Sequence, residues 1–145
     1  MSQLRIDPFV FTKKTVFMQR AADLVRSGHH HYLTGEAPLE KVAAPAAKFD
    51  RIYATEMDRL TAHRARQKGM ATARLLLLHQ GESPMVRWLL LRTDGTVPAE
   101  ADREKWLDPR ETRIQLTGYE LLRLTNEHNP KPVWTWRYTR TRYEE

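Results

Sequence analysis

Three stretches of this sequence carry side chains whose type and spacing could do chemistry. The first is His29-His30-His31. Alternate residues of an extended segment point the same way, so His29 and His31 could offer two imidazoles to one divalent metal. With a converging carboxylate and a tyrosine nucleophile, such an H-x-H pair would make a metal-dependent nuclease or nicking enzyme. Tyr32, Tyr53 and Glu36 are available for those roles. The competing reading is a polar turn just past a helix, where the partial negative charge of the helix end favours imidazolium. The turn is the expectation, because two histidines without a fixed carboxylate are a weak signal. No catalytic group, metal or other cofactor is assigned, and His29 and His31 stand as the alternative.

The second stretch is Arg59-Leu60-Thr61-Ala62-His63-Arg64-Ala65-Arg66-Gln67-Lys68. On a helix, Arg59, His63 and Arg66 fall on one face at spacings of four and three. Such a stripe can follow a phosphate backbone or enter a major groove. An ordinary solvated helix end, whose cations complement the dipole, would look the same. The third stretch, Lys131 to Tyr143, places Trp134, Trp136 and Tyr138 beside Arg137, Arg140 and Arg142. Alternating aromatic and basic residues suit the stacking and phosphate contacts of a single-strand binder. Trp134 and Trp136 equally suit a strand packed onto helices, and burial is the commoner fate of large aromatics.

Charge favours a polyanionic partner. Twenty-four Lys and Arg face eighteen Asp and Glu, for a net charge of +6 and a pI near 9.8. The excess is uneven: residues 48–74 hold seven basic side chains against three acids, whereas 94–111 hold six acids against three bases. Polarised basic charge is what binding to nucleic acid requires, and guanidinium suits phosphate. The expected phosphate contacts are Arg59, His63, Arg64, Arg66, Lys68 and Arg74, extended by Arg137, Arg140 and Arg142. A basic face for an acidic protein partner, or a homodimer joined through an open sheet edge, is the remaining class.

Several chemistries are excluded. The chain has no cysteine, so disulfides, thiolate nucleophiles and sulfur-ligated zinc are ruled out. It has no glycine-rich phosphate loop, no G-x-S-x-G and no H-E-x-x-H. Asp102, Glu104, Asp108 and Glu111 have no partner set that would define an acid and a base. The first ten residues, with Arg5, Asp7 and Pro8, contain no apolar export segment, and no run approaches the ~20 residues that cross a bilayer. The expectation is a cytoplasmic protein without membrane contact.

The elements that must position these residues can be read from periodicity. The 145 residues suit one α+β domain over 1–145, with a helical part at about 12–68 and a sheet part at about 70–140. A first helix starts at Thr12 or Thr15 and ends at Ser27, with Gly28 in the C′ position. Residues 29–35 read as a turn. A second helix opens at Pro38 and is kinked or divided at Pro45, its longer part running to about Arg66 before Gly69. Residues 71–79 and 85–92 are strands apolar on nearly every residue, hence covered on both faces. A short helix is expected within 98–107, a hairpin at 113–124 across Thr117-Gly118, a loop at 126–132 and a strand at 133–138. The architecture is two or three N-terminal helices on a mostly antiparallel sheet of about five strands.

Certain phrases add a resemblance: His31-Tyr32-Leu33-Thr34-Gly35, Lys48-Phe49, Trp88-Leu89-Leu90-Leu91, Gly118-Tyr119-Glu120-Leu121 with Arg123-Leu124, and Pro132-x-Trp134-Thr135-Trp136-Arg137. Together they resemble an uncharacterised family encoded on bacterial plasmids and integrative conjugative elements. The resemblance covers most of 28–140 and implies a setting of mobile-element replication, maintenance or transfer. It implies no activity or site residues.

Overall fold

The computed structural model describes residues 10–98, 104–125, 131 and 133–139. Among them the chain runs through β1 (Val10–Phe11), α1 (Lys14–Arg26), β2 (His31–Pro38), a 3-10 turn (Leu39–Lys41), α2 (Ala43–Tyr53), α3 (Arg59–Gln67), β3 (Ala73–Leu78), β4 (Met85–Arg92), β5 (Gln115–Leu116), β6 (Tyr119–Leu124) and β7 (Val133–Tyr138).

The unbroken leucines of β3 and β4 dictate the layering. Successive strand residues point to opposite faces, so a run such as Leu75 to Leu78 must find apolar cover on both. These strands form the middle of a four-stranded sheet ordered β1-β3-β4-β2, in which only β1 runs parallel to its neighbour. On one face Leu76, Leu78, Leu89 and Leu91 pack against Phe17, Ala21, Leu24 and Val25 of α1. The same layer takes Leu116, Leu121 and Trp134 from a second, three-stranded antiparallel sheet ordered β5-β6-β7. On the other face Ala73, Leu75, Leu77 and Leu90 meet Ala46, Phe49 and Tyr53 of α2.

The α+β class, the mostly antiparallel pairing and the twofold cover of the two apolar strands agree with the sequence reading. All five expected strands are present, and α1 ends at Arg26 with Gly28 at a φ of +106°. Four points need correction. The 29–35 turn is instead the start of β2, an eight-residue edge strand paired along its whole length with β4. It places a strand inside the span assigned to helices, and β1 lies just before that span. The strands form two sheets rather than one. The long helix expected to reach Arg66 is two helices, separated where Ala54 adopts the left-handed conformation at φ +52°. Pro45 sits in the first turn of α2, where its missing N–H costs nothing. Of the helix expected within 98–107, the described residues 104–107 are not helical, and Leu107 instead bridges to Tyr32 at the β2 edge.

α3 buries little. Ala62 is its only buried residue, while Leu60 is exposed. Hydrogen bonds at its ends hold it instead. Asp58 caps the first turn by accepting from the Thr61 N–H at 2.7 Å. Beyond the last turn, residues 69–72 form a short ladder with 93–96: Thr96 N–H donates to Gly69 O at 2.8 Å, Ala71 N–H to Thr96 O at 3.0 Å, and Thr93 N–H to Thr72 O at 2.9 Å. Gly95 makes this close approach possible. Its φ is +132°, and a Cβ there would lie 2.7 Å from the Ala71 nitrogen and 2.8 Å from the Gly69 oxygen. Gly95→Ala should therefore lower unfolding free energy by about 2 kcal/mol or more in urea titration, since positive φ and a backbone clash both count against it. An unchanged midpoint would show that the ladder does not need the glycine.

Candidate nucleic-acid interface

α3 crosses the end of the four-stranded sheet where β3 begins. Its first turn lies on the α1 side, beside Arg20 and Arg74, and its last turn lies on the α2 side, near Tyr53 and Ala73. Arg74 shares a sheet face with Leu76 and Leu78, one register step beyond the apolar cover. Its Nη1 donates to Thr55 O at 3.1 Å, which ties the guanidinium to the α2–α3 connection. Arg66 reaches back from α3 to donate to Thr72 Oγ1 at 3.0 Å. Arg59, His63, Arg64 and Lys68 are exposed on the helix and the residue after it.

The cations feel one another. Burial lowers the Arg74 pKa below the usual arginine range; Arg20 and then Arg66 lower it further, and Asp58 opposes them. Arg20 was not anticipated from the sequence, since its place on α1 beside the Phe17–Ala21–Leu24 core stripe gives no hint of what it would face. Between Arg20, Arg59 and Arg74 lies a recess of about 400 Å³, also lined by Phe11, Met57, Glu56 and Asp58.

Arginines elsewhere are engaged differently. Arg26 pairs with Asp23 at 2.7 Å, Arg87 with Glu36 at 3.1 Å and Arg110 with Asp108 at 2.7 Å, while Arg113 and Arg137 share Glu120 at 3.2 and 3.1 Å. Arg92 lies over the Trp106 ring, with its guanidinium carbon 4.6 Å from the centroid. Among the described residues no carboxylate lies within ion-pair distance of Arg20, Arg59, Arg64, Arg66, Lys68 or Arg74.

No family model, curated protein or solved structure matches the chain.

The remaining expected contacts fare differently. Arg137 lies on β7 of the second sheet, opposite Glu120 on β6 and ion-paired with it through Nε, rather than among the α3 cations. Arg140 and Arg142 lie outside the described residues. Trp134 is buried, and the half-buried Trp136 donates its Nε1–H to Met18 O at 2.7 Å, so both take part in packing the second sheet against α1. No helix among the described residues is long and apolar enough to cross a membrane.

The histidines separate by role. His29 is only 7% exposed, and its Nδ1 lies 3.0 Å from the Leu24 carbonyl oxygen of the last turn of α1. That oxygen can only accept, so Nδ1 carries the proton and the ring extends the helix cap. The expectation of an imidazolium fails here. Burial outweighs the helix end and, with Arg74, Arg66 and Arg20 nearby, lowers the pKa to about 4. His31 instead hydrogen-bonds Asp94 from β2 through Nε2, and that bond holds the Asp94 carboxyl below its usual range. The two rings are thus committed to separate partners. No group of three or more His, Asp or Glu side chains among the described residues could hold a metal ion.

His29 makes stability depend on pH in a definite sense. Its folded pKa of about 4 lies below the unfolded value of 6.5, so its contribution is fully present above pH 6.5 and is lost as pH falls towards 4. Relative to His29→Asn, which keeps a donor for Leu24 O but cannot titrate, the wild type should lose about 3 kcal/mol of unfolding free energy across that window. Parallel pH profiles for the two proteins would show that His29 is not held neutral.

Proposed function

We propose that this chain is a non-catalytic nucleic-acid-binding protein, directed mainly to DNA, acting in the bacterial cytoplasm for a mobile genetic element. The observation that carries the reading is the sorting of its cations. Arg26, Arg87, Arg92, Arg110, Arg113, Arg123 and Arg137 stand against carboxylates or aromatic rings. Arg20, Arg59, Arg64, Arg66 and Arg74 of α3 and its flanks have no carboxylate within ion-pair distance among the described residues, Arg66 and Arg74 bonding only to neutral oxygens. Collecting like charges with only Glu56 and Asp58 beside them costs folding energy, and the cost is recovered when a polyanion supplies further negative charge. The length of α3 and its small, alanine-based contact leave most of its circumference open to a phosphate backbone. The resemblance to the plasmid and conjugative-element family favours DNA over RNA.

Salt distinguishes this reading from a basic face for an acidic protein. Each phosphate neutralised releases counterions, so log affinity falls with log salt by about 0.9 per contact on duplex DNA and about 0.7 on single strands. With Arg20, Arg59, Arg64, Arg66, Lys68 and Arg74 engaged, the slope should be roughly −5 on duplex, a loss of about a thousandfold between 50 and 200 mM salt. A protein interface with an apolar centre would lose far less, because rim charges act mainly on association rate. The triple variant Arg59→Gln, Arg64→Gln, Lys68→Gln should reduce the slope by nearly three while leaving the unfolding midpoint in place. Absence of binding to single- or double-stranded oligonucleotides at about 50 mM salt, where phosphate contacts are strongest, would refute the proposal.

A further inference from the structure

The recess between α1, α3 and β3 has a shape that the exposed stripe lacks. Three guanidinium groups reach it from three elements: Arg20 from α1, Arg59 from α3 and Arg74 from β3. Arg74 is half-buried and tethered through one nitrogen to Thr55 O, so it is held in place before any ligand arrives. Phe11 and Met57, both half-buried, supply apolar surface beside these charges. Two carboxylates also line the space. Asp58, kept ionised as the α3 cap by the Thr61 N–H, and Glu56 both oppose an anion, so the recess sets three guanidinium groups against two carboxylates. At about 400 Å³ the recess falls within the usual size range of sites for small organic groups, roughly 300–1,000 Å³.

A duplex presents its phosphates on the outside of a stiff cylinder with its bases stacked inward. It can lie along α3, but it cannot place a phosphate and its base together in a concave space of this size. A single strand can, because its phosphates are not tied to a partner strand and its bases are free to unstack onto an aromatic or apolar wall.

We infer that the Arg20–Arg59–Arg74 recess seats one phosphate of a single-stranded nucleic acid, with the adjoining base against Phe11 and Met57, and so makes the protein prefer single strands to duplex. This rests on the reading of α3 as a nucleic-acid surface and adds strand preference to it. Burial first, and then Arg20 and Arg66, lower the Arg74 pKa, and an anion seated there relieves the repulsion among these cations. The exposed face of α3 serves the flanking phosphates of either form.

The test is a competition between oligo(dT) and a duplex of the same length, read by fluorescence anisotropy at two salt concentrations. The full-length protein should bind oligo(dT) at least about tenfold more tightly, the scale of one stacked base. Arg20→Gln, at an exposed position, should remove most of that preference while costing duplex binding no more than one of its six phosphate contacts, a slope change of about 0.9. Phe11→Leu should lower oligo(dT) affinity alone. Equal or tighter duplex binding, or a preference that survives Arg20→Gln in a protein with a wild-type melting curve, overturns the recess as a site and leaves the α3 surface standing. No binding of either oligonucleotide overturns both.

Discussion

The structure depends on one constraint: β3 and β4 are apolar on both faces and must be covered on both. Everything large is arranged to meet it. α1 and the β5-β6-β7 sheet close one side, with Leu116, Leu121 and Trp134 completing the layer that α1 begins. α2 closes the other through Ala46, Phe49 and Tyr53. Leu90 and Leu91 are adjacent in sequence and fully buried in opposite layers, which is the constraint reduced to two residues. Where the leucines stop, at Arg74, the cover on the α1 face stops as well. The end of the sheet is left to a short polar helix held by caps and backbone bonds, and its cations gather there.

Much of this was legible in the sequence because the signals are local and strong. Consecutive leucines identify strands buried on both faces, Thr117-Gly118 closes a hairpin, and Gly28 marks the end of α1. β2 was hidden for a physical reason. It is an edge strand in which His31, Thr34, Gly35, Glu36 and Pro38 blur the period-two pattern, and its place is fixed by eight register pairs to β4. Pro38 fits because it stands at the strand's last position, where a missing donor matters little. The break between α2 and α3 was obscured by a helical period that runs through Ala54. Asp58 followed three residues later by Thr61 carried the cap signal that divides them.

The basic residues of α3 were legible as a stripe, but what completes the cluster was not. Arg20 joins Arg74 only because α1 packs across β3, a contact without any sequence-local trace. The setting of Arg137 was hidden for the same kind of reason. Its pairing with Glu120 follows from the register of β6 and β7, where the two residues stand directly opposite. The histidine run shows how burial overrides a local rule. A helix C-terminus favours a protonated ring, yet loss of water, with three nearby guanidinium groups adding to it, lowers the His29 pKa.

The pairing of β2 with β4 has a kinetic consequence. β3 and β4 are joined by a short connection and can zip together as a hairpin, but seating β2 at the far edge of β4 brings together residues as distant in the chain as His31 and Arg92. That step closes a loop containing both α2 and α3, and loop-closure entropy must be spent before the edge contacts repay it. The central hairpin is thus the natural nucleus and the edge a late addition. α3, which buries almost nothing itself, takes its final position only as that long loop closes.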